Sequence, residues 1–228
     1  MTLDELKARA KQDLDNAFEK GKSQGGGGDA QILLDRMRIL DGQWQSAVFP
    51  EGYNFVFDFK TKPNTLNAML MLTTGIKTAT LIYEGEGTIN CSQLVRSSTI
   101  EVLDLSNFRL SPTQLNWFAL QNAKLVSVLG EIDMTNCTSA TSAFSGTTAL
   151  QEIRFKEGTI SIALDFKSCT KLSAESYDSI IKGHSKTASV TLTLPKETIV
   201  RSTYDDFYGT GAWDAITAQY PNVTIMYS

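Results

Sequence analysis

The chain has 228 residues, 42% of them hydrophobic and 20% charged, a balance that suits a folded domain with its own core rather than a disordered segment. The formal net charge is −4 and no stretch concentrates Lys and Arg, so nucleic acid is not expected as a partner. No apolar run approaches the ~18 residues of a spanning helix, so membrane insertion is not expected either.

Residues 1–22 read as an amphipathic helix. Leu3, Leu6, Ala10, Leu14, Ala17 and Phe18 recur at threes and fours and form one apolar stripe. Thr2 and Glu5 make a capping box, and Gly21 is the stop. Residues 23–28 hold four consecutive glycines, the composition of a flexible hinge. A stripe on a hinge must be buried somewhere. It either folds back over the rest of the chain or docks on a sister copy or a larger assembly, and the hinge favours docking. The opening Met-Thr-Leu-Asp-Glu-Leu-Lys lacks the apolar core of a secretory signal, so none is expected.

Residues 29–63 read as an N-terminal cap. Asp29 is an N-cap for a helix over 30–41 that carries Leu33, Met37 and Leu40 on one face. Phe55, Phe57 and Phe59 alternate, which predicts a strand over 54–60.

Residues 64–172 repeat. In the clearest copy Phe144 is followed by Leu150, Ile153 and Phe155, the L-x-x-L-x-L rhythm of a leucine-rich repeat. Leu70 likewise leads to Ile76, Ala79 and Leu81, and Leu94 to Ile100, Leu103 and Leu105. Phe118 precedes Leu125 and Val128, and Phe166 precedes Leu172. The markers Ile76, Ile100, Leu125, Leu150 and Leu172 are separated by 24, 25, 25 and 22 residues. Parallel strands are expected near 78–82, 101–105, 126–130 and 151–155, with loops or single helical turns opposite them. A second phrase echoes at Leu103–Phe108, Ile132–Cys137 and Leu164–Cys169. Ser111 followed by Pro112 predicts a short helix running toward Phe118.

Residues 173–228 read as a C-terminal cap. A helix is expected from Ala174 to about Lys182, a strand over 189–194, a helical stretch after Pro195, a helix over 212–219 and a strand over 222–227. The expected fold is an α/β solenoid: a short, irregular leucine-rich-repeat domain with parallel strands, capped at both ends, with an N-terminal helix on a glycine hinge.

No catalytic constellation is read, and no enzyme, cofactor or metal is expected. His184 is the only histidine and sits in a polar stretch read as a surface loop; Ser185 beside it has no orienting carboxylate. Glu84 with Glu86, and Asp205 with Asp206, read as solvated loop charge. Cys91, Cys137 and Cys169 show no Cys-x-x-Cys spacing and read as buried thiols, with Cys137 and Cys169 at matching places of the echoed phrase. Surface remains. Two outward columns on the strands, Thr78, Val102, Ser127 and Glu152, and Thr80, Asp104, Leu129 and Arg154, form the candidate binding face, with a solvated sheet face as the alternative.

The phrase Phe-x-x-x-Thr-x-Leu-x-x-Ile, alternating with Ile-Asp-Met-Thr-Asn-Cys-Thr, resembles BspA-type leucine-rich repeats of bacterial surface proteins and of bacteriophages. The tail, Leu-Ser-Ala-Glu-Ser, Thr-Leu-Thr-Leu, Trp-Asp-Ala-Ile-Thr-Ala and Pro-Asn-Val-Thr-Ile, is similar to the ending of phage-encoded members. The chain departs from the pattern where Asn122 and Thr147 stand in place of Cys. The resemblance implies a non-enzymatic virion protein of the tail, baseplate or fibre. Residues 1–22 would then contact other virion proteins or another copy, and the face would contact a host surface protein or glycan. A bacterial surface adhesion module and a cytoplasmic interaction solenoid are the alternatives.

Overall fold

The computed structural model describes residue 46, residues 48–59 and residues 61–228. The stripe of residues 1–22, the hinge at 23–28 and the helix expected over 30–41 lie outside the described residues. The rest is a parallel β-solenoid. Its main sheet holds β1 (Val48–Asp58), β2 (Thr74–Tyr83), β4 (Val102–Phe108), β6 (Ser127–Ile132) and β7 (Glu152–Phe155), in that spatial order. Neighbours pair in parallel, so each strand is one coil beyond the last. The strand read from the Phe55–Phe57–Phe59 alternation is β1, and it opens the sheet against β2.

The marker residues are ranked through the interior. Ile76, Ile100, Leu125 and Leu150 are each at most 1% exposed, and each lies two residues before a residue of the register column Thr78–Val102–Ser127–Glu152. Alternation then buries Ala79, Leu103, Val128 and Ile153 behind the same sheet.

The side opposite the main sheet has two parts. One is a short second sheet, β3 (Thr88–Asn90) with β5 (Ser111–Gln114), continued by a bridge from Gln114 to Ser139. The short helix read from Ser111-Pro112 is therefore a strand. Ser111 donates its N–H to Gly87 O at 2.9 Å, and Pro112 sits opposite Ile89. In a parallel ladder the next amide along points the other way, so proline interrupts nothing toward β3. Bonding between coils overrides the local helix signal.

The other part is an arc built from hydrogen-bonded turns. Its repeat is conformational: Ala68, Gln93, Trp117 and Ser142 have φ of 56°, 57°, 53° and 51°. Four residues later Leu72, Ser97, Gln121 and Gly146 are left-handed again. Alternate arc amides reach across to the next coil, as in Leu70 N–H to Leu94 O and Ala119 N–H to Ala143 O. These bonds hold non-glycine residues in a region they otherwise avoid. The left-handed positions also set the alignment: Leu70 corresponds to Val95, Ala119 and Phe144, one residue away from the Leu94 that the sequence rhythm suggests.

The residue after each second left-handed position is buried and polar: Thr73, Ser98, Asn122 and Thr147. Thr73 Oγ1 donates to Leu70 O and Ser98 Oγ to Val95 O, closing their own arcs. Thr147 Oγ1 donates to Ala119 O and Asn122 Nδ2 to Ser98 Oγ, crossing coils. Asn122 and Thr147 thus belong to a polar ladder.

The C-terminal unit begins with β8 (Leu164–Asp165) and α1 (Ala174–Gly183), and continues through β9 (Val190–Leu194), α2 (Glu197–Tyr208), α3 (Ala212–Thr217) and β10 (Val223–Tyr227). β8, β9 and β10 form their own parallel sheet. Helix α1 starts at Ser173, whose Oγ accepts the Ser176 N–H.

Candidate functional site

The broad outer face of the main sheet is the candidate site. Register places Asn54, Thr78, Val102, Ser127 and Glu152 in one unbroken row across five strands. Strands about 4.8 Å apart make that row roughly 19 Å wide. The second row runs Val56, Thr80, Asp104, Leu129. Arg154 does not complete it: Arg154 pairs with Glu131, two residues beyond Leu129. The cause is a bulge at Gly130, which has φ of 87°. A Cβ there would lie 2.8 Å from the backbone of Leu105 and Ser106, where β4 carries its own irregularity.

The face mixes hydroxyl, aliphatic and charged groups. Val56 is 58% exposed, and Thr78, Thr80, Val102, Asp104, Ser127, Leu129 and Glu152 are half-buried. Arg154 lies 3.7 Å from Glu152 with both side chains well exposed, a pair that water screens strongly. Lys156 meets Asp133 at 2.8 Å, and that bond, with the Thr135 hydroxyl and N–H, outweighs desolvation and lowers the Asp133 pKa.

Helix α1 packs along β7, and α2 packs on α1 and ends in Phe207 and Tyr208. Burial first, then the charges of Asp178 and Glu175, raises the Tyr208 pKa against Lys182 and Arg154. Phe207 and Tyr208 are exposed there, and their rings pack edge to face at 4.7 Å. The sequence reading passed over both. The signal was two aromatics closing a helix before Gly209-Thr-Gly211.

The remaining candidates resolve individually. His184 is fully buried, which corrects the surface-loop reading: its Nδ1 lies 2.7 Å from Ile180 O, and Nε2 has no partner among the described residues. Burial lowers its pKa against that carbonyl bond. Asp205 and Asp206 lie on α2 rather than in a loop, and Asp205 receives the N–H groups of Gly211 and Trp213 at the entry to α3. Glu84 and Glu86 lie between β2 and β3 and are exposed.

The three cysteines are free and buried. Burial pushes the thiols of Cys91 and Cys169 up to about 12 and raises that of Cys137. The echoed phrase has a local meaning. Asp104, Asp133 and Asp165 each accept the N–H two residues on, at 2.9, 3.0 and 2.9 Å, so the phrase encodes an Asx turn.

Among the described residues, no group of three or more His, Cys, Asp and Glu is placed to hold a metal ion. No described helix is long and apolar enough to cross a membrane. Compared with known proteins, the chain matches no family model, no curated sequence and no solved structure.

Proposed function

We propose that the chain is a non-enzymatic bacteriophage virion protein of the tail, baseplate or fibre, whose coils are irregular leucine-rich repeats of BspA type presented for host attachment. Residues 1–22 carry the apolar stripe that attaches it to other virion proteins or to another copy, and the glycine hinge gives it reach. The observation that supports this reading best is the row from Asn54 to Glu152, a wide surface of mixed chemistry kept in register across the main sheet. Such a surface suits contact with a protein or glycan partner. Mass spectrometry of purified particles from cells encoding the chain tests the assignment. Peptides of the chain should copurify with particles at a fixed ratio to tail proteins. Their recovery only in the cell fraction would overturn it.

A further inference from the structure

We propose that β10, the open edge of the C-terminal sheet, pairs antiparallel with β10 of a second copy of this chain. The three strands of each copy would then form one continuous sheet. The last strand of the main sheet, β7, has its edge closed by the hydroxyls of Ser176 and Ser179. β10 is the outermost strand of its own sheet, and among the described residues no strand lies beyond it. It lacks the charge, proline or bulge that keeps a sheet edge from pairing. Val223–Tyr227 runs opposite Val190–Leu194 residue for residue. No charged side chain occurs from Tyr220 to Ser228, and Pro221 lies before the strand rather than in it. Thr224 and Met226 point out to solvent, and Met226 is 54% exposed.

The backbone fixes which groups the edge offers. Asn222 O accepts the Val190 N–H, and Ser228 donates its N–H to Leu194 O, so the even-numbered residues face β9. Val223, Ile225 and Tyr227 therefore turn their backbone groups outward. Val223 already donates its N–H to Tyr220 O at 3.0 Å. The outward donors left are Ile225 and Tyr227. A two-fold axis between facing Ile225 residues overlaps the strand along its whole length and uses both. Each Ile225 N–H meets Ile225 O of the other copy, and each Tyr227 N–H meets Val223 O of the other copy. Thr224 of one copy then stands opposite Met226 of the other in the closely spaced pairs. The edge is thus complementary to itself, as a two-fold contact requires.

Charge favours the antiparallel direction. At the start of β10, Asn222 Nδ2 donates to Ser185 O at 2.8 Å and to Ala188 O, which fastens the 185–188 loop there. Lys186 of that loop stands 5.3 Å over the Tyr220 ring. Of the other charges around Tyr220, Lys182 and Asp178 pair at 2.7 Å, and Glu157 remains. At the end of β10, Trp213 Nε1 donates to the Tyr227 hydroxyl at 2.9 Å. Glu197, Arg201 and Asp214 lie near that hydroxyl. Arg201 meets Glu197 at 2.7 Å and Asp214 at 2.8 Å, so two carboxylates share one guanidinium and this end stays negative. Antiparallel pairing sets each acidic end beside Lys186 of the other copy. Parallel pairing would set acidic end against acidic end. The contact uses neither residues 1–22 nor the outer face of the main sheet, so it stands or falls separately from the virion assignment.

The test is sedimentation velocity of the full chain from about 1 to 100 μM, a range in which a modest two-fold contact becomes populated. The natural chain should double in mass across that range. Thr224→Lys with Met226→Lys sets lysine opposite lysine at both cross-strand pairs and should weaken association by roughly tenfold. Thr224→Glu with Met226→Lys sets glutamate opposite lysine at the same places and should restore it. Both positions are exposed, and circular dichroism should show the fold unchanged in either variant. A natural chain that stays monomeric throughout, or an oligomer that the two variants affect equally or not at all, would overturn the proposal.

Discussion

Ser176 Oγ accepts the Ile153 N–H at 3.1 Å and donates its own proton to Gln151 O at 2.9 Å. Ser179, one turn further along α1, repeats the arrangement on Phe155, accepting the N–H at 2.8 Å and donating to the carbonyl at 3.3 Å. β7 is the last strand of the main sheet, and its outer edge would otherwise present open backbone groups to another chain. Two serine hydroxyls on one helix face satisfy that edge where a further strand would stand.

The first prediction follows from that edge. Ser176 is 1% exposed, so Ser176→Ala leaves the Ile153 N–H buried without a partner. An orphaned buried donor costs about 1–3 kcal/mol. Urea unfolding should show a loss of that size, with a larger loss for the Ser176→Ala, Ser179→Ala double variant. A loss within error of zero for both would mean that water or a strand shift replaces the serines.

A second prediction concerns the polar ladder. Asn122 Nδ2 donates to Ser98 Oγ at 3.0 Å and Ile100 O at 3.2 Å, while Oδ1 accepts the N–H of Leu125 at 3.1 Å. Asn122→Ala removes bonds on both sides of a fully buried amide and should cost about 2–3 kcal/mol. A double-mutant cycle with Ser98→Ala should return a coupling energy of about 0.5 kcal/mol or more. Strict additivity would show that the Asn122–Ser98 bond contributes nothing, leaving the backbone carbonyl of Ile100 as the contact between coils.

The legible part of the sequence was the part set by alternation. Ile76, Ile100, Leu125 and Leu150 carry the rhythm because each must enter the same interior, and a burial pattern is local. The Ser173 cap and the Val190–Leu194 strand were readable for the same reason. What stayed hidden depends on the neighbouring coil. Pro112 reads as a helix start until β3 lies beside it, and Arg154 reads as the neighbour of Leu129 until Gly130 bulges. The left-handed positions at Gln93 and Trp117 leave no trace in residue type, because bonds between coils hold them.

The third prediction separates two left-handed sites. Gln121 has φ of 59°, is exposed, and is held through its backbone bond to Ser145 O. Gln121→Gly relieves roughly 1–2 kcal/mol of left-handed strain and returns about 0.5–1 kcal/mol as lost chain entropy. A small net gain in stability is therefore expected. Gly130→Ala should do the reverse, losing about 2 kcal/mol or more, since the new Cβ meets backbone at 2.8 Å and φ is 87°. Thermal melts of the two variants should move in opposite directions; a fall for Gln121→Gly would show that its side chain contributes packing that the strain argument omits.

The last prediction rests on the single histidine. A carbonyl can only accept, so the 2.7 Å contact with Ile180 O puts the His184 proton on Nδ1 and leaves Nε2 bare in the interior. Burial lowers the folded-state pKa from its ordinary value of 6.5. The sign then follows. Above that ordinary value both folded and unfolded chains are neutral and the group contributes nothing. Below it the unfolded chain takes up a proton that the folded chain resists, so stability falls as pH falls, by at most about 1.4 kcal/mol per pH unit, until the depressed folded pKa is reached. Between pH 6.5 and the carboxylate range no other side chain of ordinary pKa titrates. Urea midpoints of the natural chain should therefore drop from neutral pH to about pH 5.5, and those of His184→Leu should stay level over the same interval. Parallel slopes for the two proteins would assign the acid sensitivity to carboxylates and remove His184 from the account.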